Sequence, residues 1–154
     1  MKIKVIFLLF LFATLSVKGQ EAIEEELIGV VQQFFKGFHL KDTSAIKQTL
    51  IDDFSLTTIG TSSEDKTRLI KSTKEDFFKG IAGIPDNVYF EEKLLSYKMS
   101  SDQLMAHVWT PYEFWFNGLL SHCGVNSFSL MKTEAGWRII SITDTRYKKG
   151  CKGL

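Results

Sequence analysis

The hydrophobic pattern is strongest between Leu104 and Arg146, where it predicts three consecutive β-strands. Asn117 and Gly118 supply the two positive-φ residues that a two-residue hairpin turn requires. The segment Thr133–Gly136 supplies a second, longer turn. Because side chains alternate between the two faces of a strand, these turns predict which residues lie opposite one another.

Helices are predicted before this sheet. From Glu21 to Leu40, apolar residues recur at spacings of three and four, which is typical of one buried helix face. A shorter helix is predicted from Asp42 or Thr43 to Leu50. The apolar stripe of the first helix consists of Ile23, Leu27, Val30, Val31, Phe34, Phe35 and Phe38.

A third helix is predicted after the overlapping capping patterns of Ser72–Asp76. Alternating β-rich segments predict strands at Phe54–Ile59 and Val88–Met99, and the polar segment Gly60–Lys66 is predicted to be a loop. The element order predicts the α+β class: a cone-like curved antiparallel sheet with about three helices packed on its concave face.

The first hairpin turn predicts that Glu113 lies opposite His122 and that Trp109 lies opposite Asn126. For the second hairpin we prefer the register that places Asn126 opposite Asp144, because it gathers the large apolar residues on one face. That face is predicted to meet the helices. It carries His107, Trp109, Glu113, Trp115, Leu120, His122, Gly124, Asn126, Phe128, Leu130, Ile140, Ile142 and Asp144.

Several polar side chains on this face predict a small-molecule pocket, since a pocket combines apolar walls with a few convergent polar atoms. Two tryptophans would form the walls. In the alternative, Glu113 and His122 form a partly solvated pair at the sheet rim, and Asp144 forms a salt bridge with Arg146 or Arg138. The candidate ligand-binding residues are Trp109, Glu113, Trp115, His122, Asn126 and Asp144.

Acid–base chemistry is the reaction type that these residues favour. His122 is the catalytic candidate that titrates near neutral pH, and Glu113 or Asp144 would be a carboxylate partner. Nucleophilic catalysis is not favoured, because Ser121 and Cys123 flank His122 in sequence and point to the opposite face. The histidines are too far apart for a metal site, and neither a metal nor a cofactor is predicted.

The first nineteen residues are predicted to be a signal peptide. Lys2 and Lys4 precede the apolar run Val5–Leu15, which is too short to span a bilayer, and cleavage is predicted before Gln20. The alternative is a buried N-terminal helix. We therefore expect residues 20–154 to form one exported domain, periplasmic or extracellular, without a membrane segment in its mature form.

Charge excludes one class of partner. Removal of residues 1–19 leaves 16 basic and 18 acidic residues, a net charge of −2. Nucleic-acid binding needs a basic field that such a surface lacks.

Two cysteines in an exported chain favour a disulfide between Cys123 and Cys151. The alternative is two reduced thiols. Closing the loop between them would stabilise the fold by roughly 3–4 kcal/mol on the chain-entropy model.

The other sheet face is half apolar, and we expect either a homodimer surface or an ordinary solvated face. It is predicted to carry Val108, Thr110, Tyr112, Phe114, Cys123, Val125, Ser127, Ser129, Ile139, Ser141 and Thr143.

The chain resembles the nuclear-transport-factor-two-like superfamily over about residues 22–146. The similarity rests on the order of short motifs, among them Asp53-Phe54, Ser121-His122-x-Gly124, Gly136-Trp137 and Asp144-Thr145. Within that superfamily it is similar to the exported SnoaL-like group and to the group named for lumazine binding. The resemblance implies a cystatin-like α+β cone with a pocket between sheet and helices, often dimerised through the sheet.

Fold alone does not decide function. The leading hypothesis is an exported domain that binds an unknown small molecule. The alternatives are a cofactor-independent isomerase or lyase with acid–base chemistry of the SnoaL or ketosteroid isomerase kind, and a dimeric interaction module without a ligand.

Overall fold

The computed structural model describes the backbone of residues 2–61 and 66–151, with side chains from Gln20 onward. Within those residues the chain forms three helices and seven strands. The helices are α1 (Lys2–His39), α2 (Thr43–Lys47) and α3 (Lys74–Ala82). The strands are β1 (Leu50–Thr61), β2 (Thr67–Thr73), β3 (Phe90–Leu94), β4 (Lys98–Ser101), β5 (Met105–Phe116), β6 (Leu119–Thr133) and β7 (Gly136–Arg146).

All seven strands belong to one sheet with the order β2-β1-β7-β6-β5-β3, and β4 pairs with the same strand as β3. The chain is thus of the predicted α+β class. The sheet is mixed, however, because β1 runs parallel to β7. Strand β2 was not predicted. As an edge strand exposed along nearly its whole length, it has no buried face and so no hydrophobic alternation.

Several other predicted boundaries are wrong. The short helix predicted to reach Leu50 ends at Lys47, and β1 begins at Leu50, before the strand predicted from Phe54. The segment predicted as a single strand from Val88 to Met99 is divided into β3 and β4, separated by the irregular residues 95–97. In the predicted loop Gly60–Lys66, the first two residues end β1, and residues 62–65 lie outside the described residues.

Helix α1 lies on one face of the sheet because its apolar stripe is buried there. Leu27 and Val31 are fully buried, and Phe34 packs edge-on against Phe128 of β6 with ring centroids 6.1 Å apart. Phe77 of α3 stacks on Phe34 at 6.0 Å. The interior next to β6 and β7 is therefore walled by phenylalanine rings.

Thr73 is the N-cap of α3. Its hydroxyl accepts a hydrogen bond from the backbone N–H of Asp76 at 3.1 Å and donates to the Asp76 carboxylate at 2.9 Å. The first bond is the one that a capping box predicts, but the second is not, because in a capping box the carboxylate accepts from the backbone N–H of the N-cap residue and here it accepts from the Thr73 hydroxyl.

The first hairpin has the predicted turn but not the predicted register. Asn117 and Gly118 both have positive φ, 47° and 79°, and Phe116 pairs with Leu119. A bulge at Ser121 then shifts the pairing by one residue. His122 lies opposite Phe114 instead of Glu113, and Asn126 lies opposite Thr110 instead of Trp109.

In the second hairpin the preferred register is confirmed at its far end, where Asn126 pairs with Asp144 and Phe128 with Ile142. Near the turn, a second irregularity lies between Ser129 and Leu130. It places Ile139 in the core, although we predicted this residue on the outer face.

Because of the bulge at Ser121, the buried face of β5 is the one that we predicted to be the outer face. Ala106, Val108, Thr110 and Tyr112 are buried on the helix side, each with at most 2% of its surface exposed. The predicted inward position of Trp109, Glu113 and Trp115 is wrong, because these alternate residues belong to the opposite, outer face.

The signal peptide predicted for residues 1–19 covers the first half of α1. Among the described residues, no helix combines the length and the hydropathy needed to cross a membrane.

Candidate functional site

A cavity of about 60 Å³ lies between α1, α3 and the inner face of the sheet. Most of its wall is aromatic or aliphatic, and one side is polar. Glu92 comes from β3, Asn126 from β6, and Asp144 and Arg146 from β7. The apolar lining residues are Phe34, Phe35, Phe38, Leu56, Phe77, Phe128 and Ile142.

Glu92 is one of the alternate residues of β3 that face the helices, and its carboxyl group is buried. Its Oε1 accepts a hydrogen bond of 2.6 Å from the side-chain amide of Asn126. Burial raises the pKa of Glu92 from 4.5 to about 7, against the opposing effect of the Asn126 hydrogen bond. Glu92 is therefore able to hold or release a proton at neutral pH.

Asp144 is buried beside it and fully bonded. One carboxylate oxygen accepts from the Thr58 hydroxyl at 2.6 Å, and the other accepts from Nε of Arg146 at 2.8 Å. Burial disfavours the charged guanidinium, but the attraction of Asp144 prevails and raises the pKa of Arg146. Two carboxyl groups thus lie in one site, and one of them has a cationic partner.

Tyr112 of β5 is buried close to Glu92, Asp144 and Arg146 but does not line the cavity. Its hydroxyl donates to the backbone carbonyl of Thr145 at 2.8 Å, and burial raises its pKa. Gly124 lies directly beneath this carbonyl, and a Cβ there would come within 1.8 Å of the Thr145 oxygen. Only glycine leaves room for this backbone approach, which brings the end of β7 close to β6 next to Asp144.

His122 lies on the inner side of β6, between the aromatic rings of β5. Its ring stacks on Phe114 at 4.7 Å and meets Tyr112 edge-on at 5.9 Å. Burial lowers the pKa of His122, and the nearby positive charge of Arg146 lowers it further. His122 is thus favoured in its neutral form and does not belong to the cavity wall.

A second histidine supports Glu92 from the helix side. The backbone N–H of Glu92 donates to Nε2 of His39 at 3.0 Å, so His39 must be neutral with its proton on Nδ1. Burial lowers the pKa of His39, which is consistent with this role. The hydrogen bond fixes β3 to the end of α1.

The structure brings together some of the residues predicted for the site and separates the others. Asn126 and Asp144 line the cavity, and His122 lies on the same face farther along the sheet. Glu113 and Trp115 instead hydrogen-bond each other on the outer face, at 3.1 Å from Nε1 to Oε2. Trp109 is also on that face, with 42% of its surface exposed.

Two polar residues of the cavity, Glu92 and Arg146, were not among the candidates, and neither were its apolar lining residues. In β3 the inward positions are Phe90, Glu92 and Leu94, so alternation alone would have indicated an acidic residue facing the core. Arg146 follows Asp144 by two positions and shares its face. The predicted alternative of an Asp144–Arg146 salt bridge is present at 2.8 Å.

Cys123 and Cys151 form a disulfide, with Cα atoms 5.6 Å apart. Tyr147 forms two backbone hydrogen bonds with Cys123, of 3.0 and 2.8 Å. The disulfide and this bridge together hold the chain after β7 against β6, beside the site. Among the described residues no group of three or more His, Cys, Asp or Glu side chains is arranged to hold a metal ion.

No family model and no curated protein matches the sequence. Solved structures do match the fold. An NTF2-like (nuclear-transport-factor-two-like) protein with a cystatin-like fold from Novosphingobium aromaticivorans superposes with a TM-score of 0.68 at 13% identity, covering 88% of each chain. The protein has the NTF2-like fold.

Two further structures agree. A protein of unknown function with a cystatin-like fold from Nostoc punctiforme has a TM-score of 0.63 at 12% identity, covering 80% of this chain and 90% of that one. A protein from Streptomyces avermitilis, proposed to be a dehydratase of the NTF2-like family, has a TM-score of 0.62 at 14% identity, covering 80% and 94%. At such identities the likeness concerns the fold, as the sequence resemblance implied.

Proposed function

We propose that this protein is an exported domain that binds a small molecule in the interior cavity between α1, α3 and the sheet. The observation that carries the proposal is the composition of the cavity wall. Four polar side chains converge at one side of a space otherwise walled by phenylalanine, leucine and isoleucine, which is the usual character of ligand sites. The export signal read from Lys2, Lys4 and Val5–Leu15 supports the location.

The size of the cavity limits the ligand. A volume of 60 Å³ accommodates on the order of five water-sized groups, whereas drug-sized ligands occupy roughly 300–1,000 Å³. The ligand is therefore a compact molecule, or the part of a larger molecule that enters the cavity.

A cavity-filling variant tests the proposal. Leu56 of β1 lines the cavity, and Ile59 lies on the opposite, outer face of the same strand. Leu56→Phe should fill the space, and Ile59→Phe is the matched control. Fragments of five to eight non-hydrogen atoms are screened by thermal unfolding, because a ligand that binds the native state raises the melting temperature.

We expect fragments that stabilise the wild type and Ile59→Phe but have lost their effect on Leu56→Phe. Equal stabilisation of all three proteins would place binding elsewhere and contradict the proposal. A screen in which no fragment stabilises the wild type would contradict it as well.

Acid–base catalysis on a bound carbon acid is the second candidate function, and the state of Glu92 favours it. A catalytic carboxyl group works best when its pKa lies near the working pH, and the pKa of Glu92 is about 7. The neighbouring Asp144 forms a salt bridge with Arg146. The carboxyl groups of Glu92 and Asp144 can therefore take different catalytic roles. Glu92 thus replaces Glu113 as the carboxylate candidate.

Hydrogen–deuterium exchange at carbon tests this second function without a known substrate. A panel of small ketones is incubated with protein in D₂O, and the α-proton signals are followed by NMR. We expect exchange that depends on Glu92 and falls roughly 10²–10⁴-fold in Glu92→Gln. Exchange that survives this substitution would remove Glu92 from the reaction.

A further inference from the structure

Arg146 stands at the mouth of the interior cavity. Of the described residues that line the cavity, Arg146 alone is exposed. Its side chain is 52% exposed, whereas that of its partner Asp144 is 6% exposed. The guanidinium therefore contacts the buried Asp144 carboxylate on one side and faces solvent on the other.

Only part of the hydrogen-bonding capacity of Arg146 is used within the protein. An arginine has five N–H donors in a planar fork. Nε–H donates to Asp144 at 2.8 Å, and one Nη2–H donates to the Thr58 hydroxyl at 3.4 Å. Three N–H groups have no acceptor among the described residues, and they include both donors of Nη1. This free part of the fork is suited to a carboxylate, which binds guanidinium through two parallel hydrogen bonds.

Apart from its polar side, the cavity next to the guanidinium is apolar, and it is small. Its apolar lining includes Phe34, Phe77 and Ile142, and the volume is about 60 Å³. If one methylene or methyl group takes the space of one water molecule, a hydrocarbon chain of about three to five carbons would fill this volume. A cationic head is disfavoured beside Arg146, and a dianion is disfavoured by the charge of Asp144.

We infer that the ligand of this site is a short monocarboxylic acid, whose carboxylate binds the free N–H groups of Arg146 and whose hydrocarbon part fills the cavity. The inference rests on the proposed function, since it requires the cavity to take up a small molecule. It adds the chemical class of that molecule and the residue that selects it.

The test compares two probes of the same shape, isobutyrate and isobutyramide. They differ in the charge of the head group and in little else. Their affinities are measured by NMR titration of the Ile142 methyl signals at constant ionic strength and about pH 6, where most of the Glu92 carboxyl group is protonated and does not repel a carboxylate. A hydrogen bond to a charged group is stronger than one to a neutral group. Isobutyrate should therefore bind the wild type at least about tenfold more tightly than isobutyramide.

Arg146→Lys keeps the positive charge but removes the planar fork. It should weaken isobutyrate binding about tenfold or more and leave isobutyramide binding nearly unchanged. Arg138→Lys is the control, because Arg138 is also on β7 but bonds the backbone of Trp137 and does not line the cavity. It should leave the affinity of both probes unchanged.

Equal affinities for the two probes in the wild type would overturn the inference while leaving the proposed function intact. A preference for isobutyrate that persists in Arg146→Lys would also overturn it, because the selecting group would then lie elsewhere. If neither probe binds, the inference is wrong, and the fragment screen with Leu56→Phe decides separately whether the cavity binds any small molecule.

Discussion

Substitution of Glu92 by glutamine should remove most of a distinctive pH dependence of stability. In the folded protein burial raises the pKa of Glu92 from 4.5 to about 7. The folded state therefore binds more protons than the unfolded state between these two values. The contribution of Glu92 to stability is fully present below pH 4.5 and is lost as the pH rises through about 7.

The magnitude follows from the size of the shift. Each pKa unit corresponds to about 1.4 kcal/mol, so a shift from 4.5 to about 7 gives a loss of about 3 kcal/mol between pH 4.5 and pH 8. A glutamine in place of Glu92 would not titrate, and its amide oxygen can still accept the hydrogen bond from Asn126. The Glu92→Gln protein should therefore lack this loss.

Urea unfolding at several pH values measures the effect. His39 and His122 have lowered pKa values and contribute with the opposite sign, since their neutral forms are favoured in the fold. Subtracting the pH profile of Glu92→Gln from that of the wild type isolates Glu92. Glu113→Gln, the same change on the outer face, is the control. Parallel profiles for the wild type and Glu92→Gln would refute the reasoning.

Three further predictions concern the packing next to the site, the disulfide and the outer face of the sheet. Gly124→Ala should destabilise the fold by about 2 kcal/mol or more in urea unfolding, because the new Cβ overlaps the Thr145 carbonyl. Gly80→Ala, in α3, should instead stabilise it by about 0.5–1 kcal/mol, since a Cβ there meets nothing within 4 Å. A Gly124→Ala protein as stable as the wild type, or a destabilised Gly80→Ala protein, would contradict the packing described. Replacement of both cysteines by alanine should cost roughly 3–4 kcal/mol in the same assay, and an unchanged stability would show that the disulfide constrains little. The homodimer expected from the sequence remains a prediction: if it forms through the outer face, Trp109→Lys should shift the sedimentation of a wild-type dimer to that of a monomer, and a monomeric wild type would contradict it.

The sequence predicted the fold well where one face of an element is clearly apolar. The stripe of α1, the Asn117-Gly118 turn and the pairing of Phe128 with Ile142 are all present. Strand β5 was harder, because it carries large residues on both faces: Val108 and Tyr112 on one, Trp109 and Trp115 on the other. Alternation alone could not tell which face is buried, and the bulge at Ser121 decided it.

The candidate site was predicted in part for the same reason. Asn126 and Asp144 were placed correctly because their register depends on β6 and β7, which have one clearly apolar face. Glu113 was assigned inward through the unbulged register of the first hairpin. Glu92 was missed because it lies within the charged run Glu91–Lys93, where only the alternation between Phe90 and Leu94 marks it as facing the core.

The most direct test of a ligand-accessible interior is methyl NMR of the mature protein under a few bar of xenon, an apolar probe that enters cavities of this size. If the interior cavity takes up small molecules, the methyl signals of Ile142 and Leu56 should shift saturably, while those of Ile59 on the outer side of β1 stay in place. A filled, inert interior would leave all three residues unshifted, or would shift them equally and without saturation. That result would contradict the proposed function and favour an interaction module.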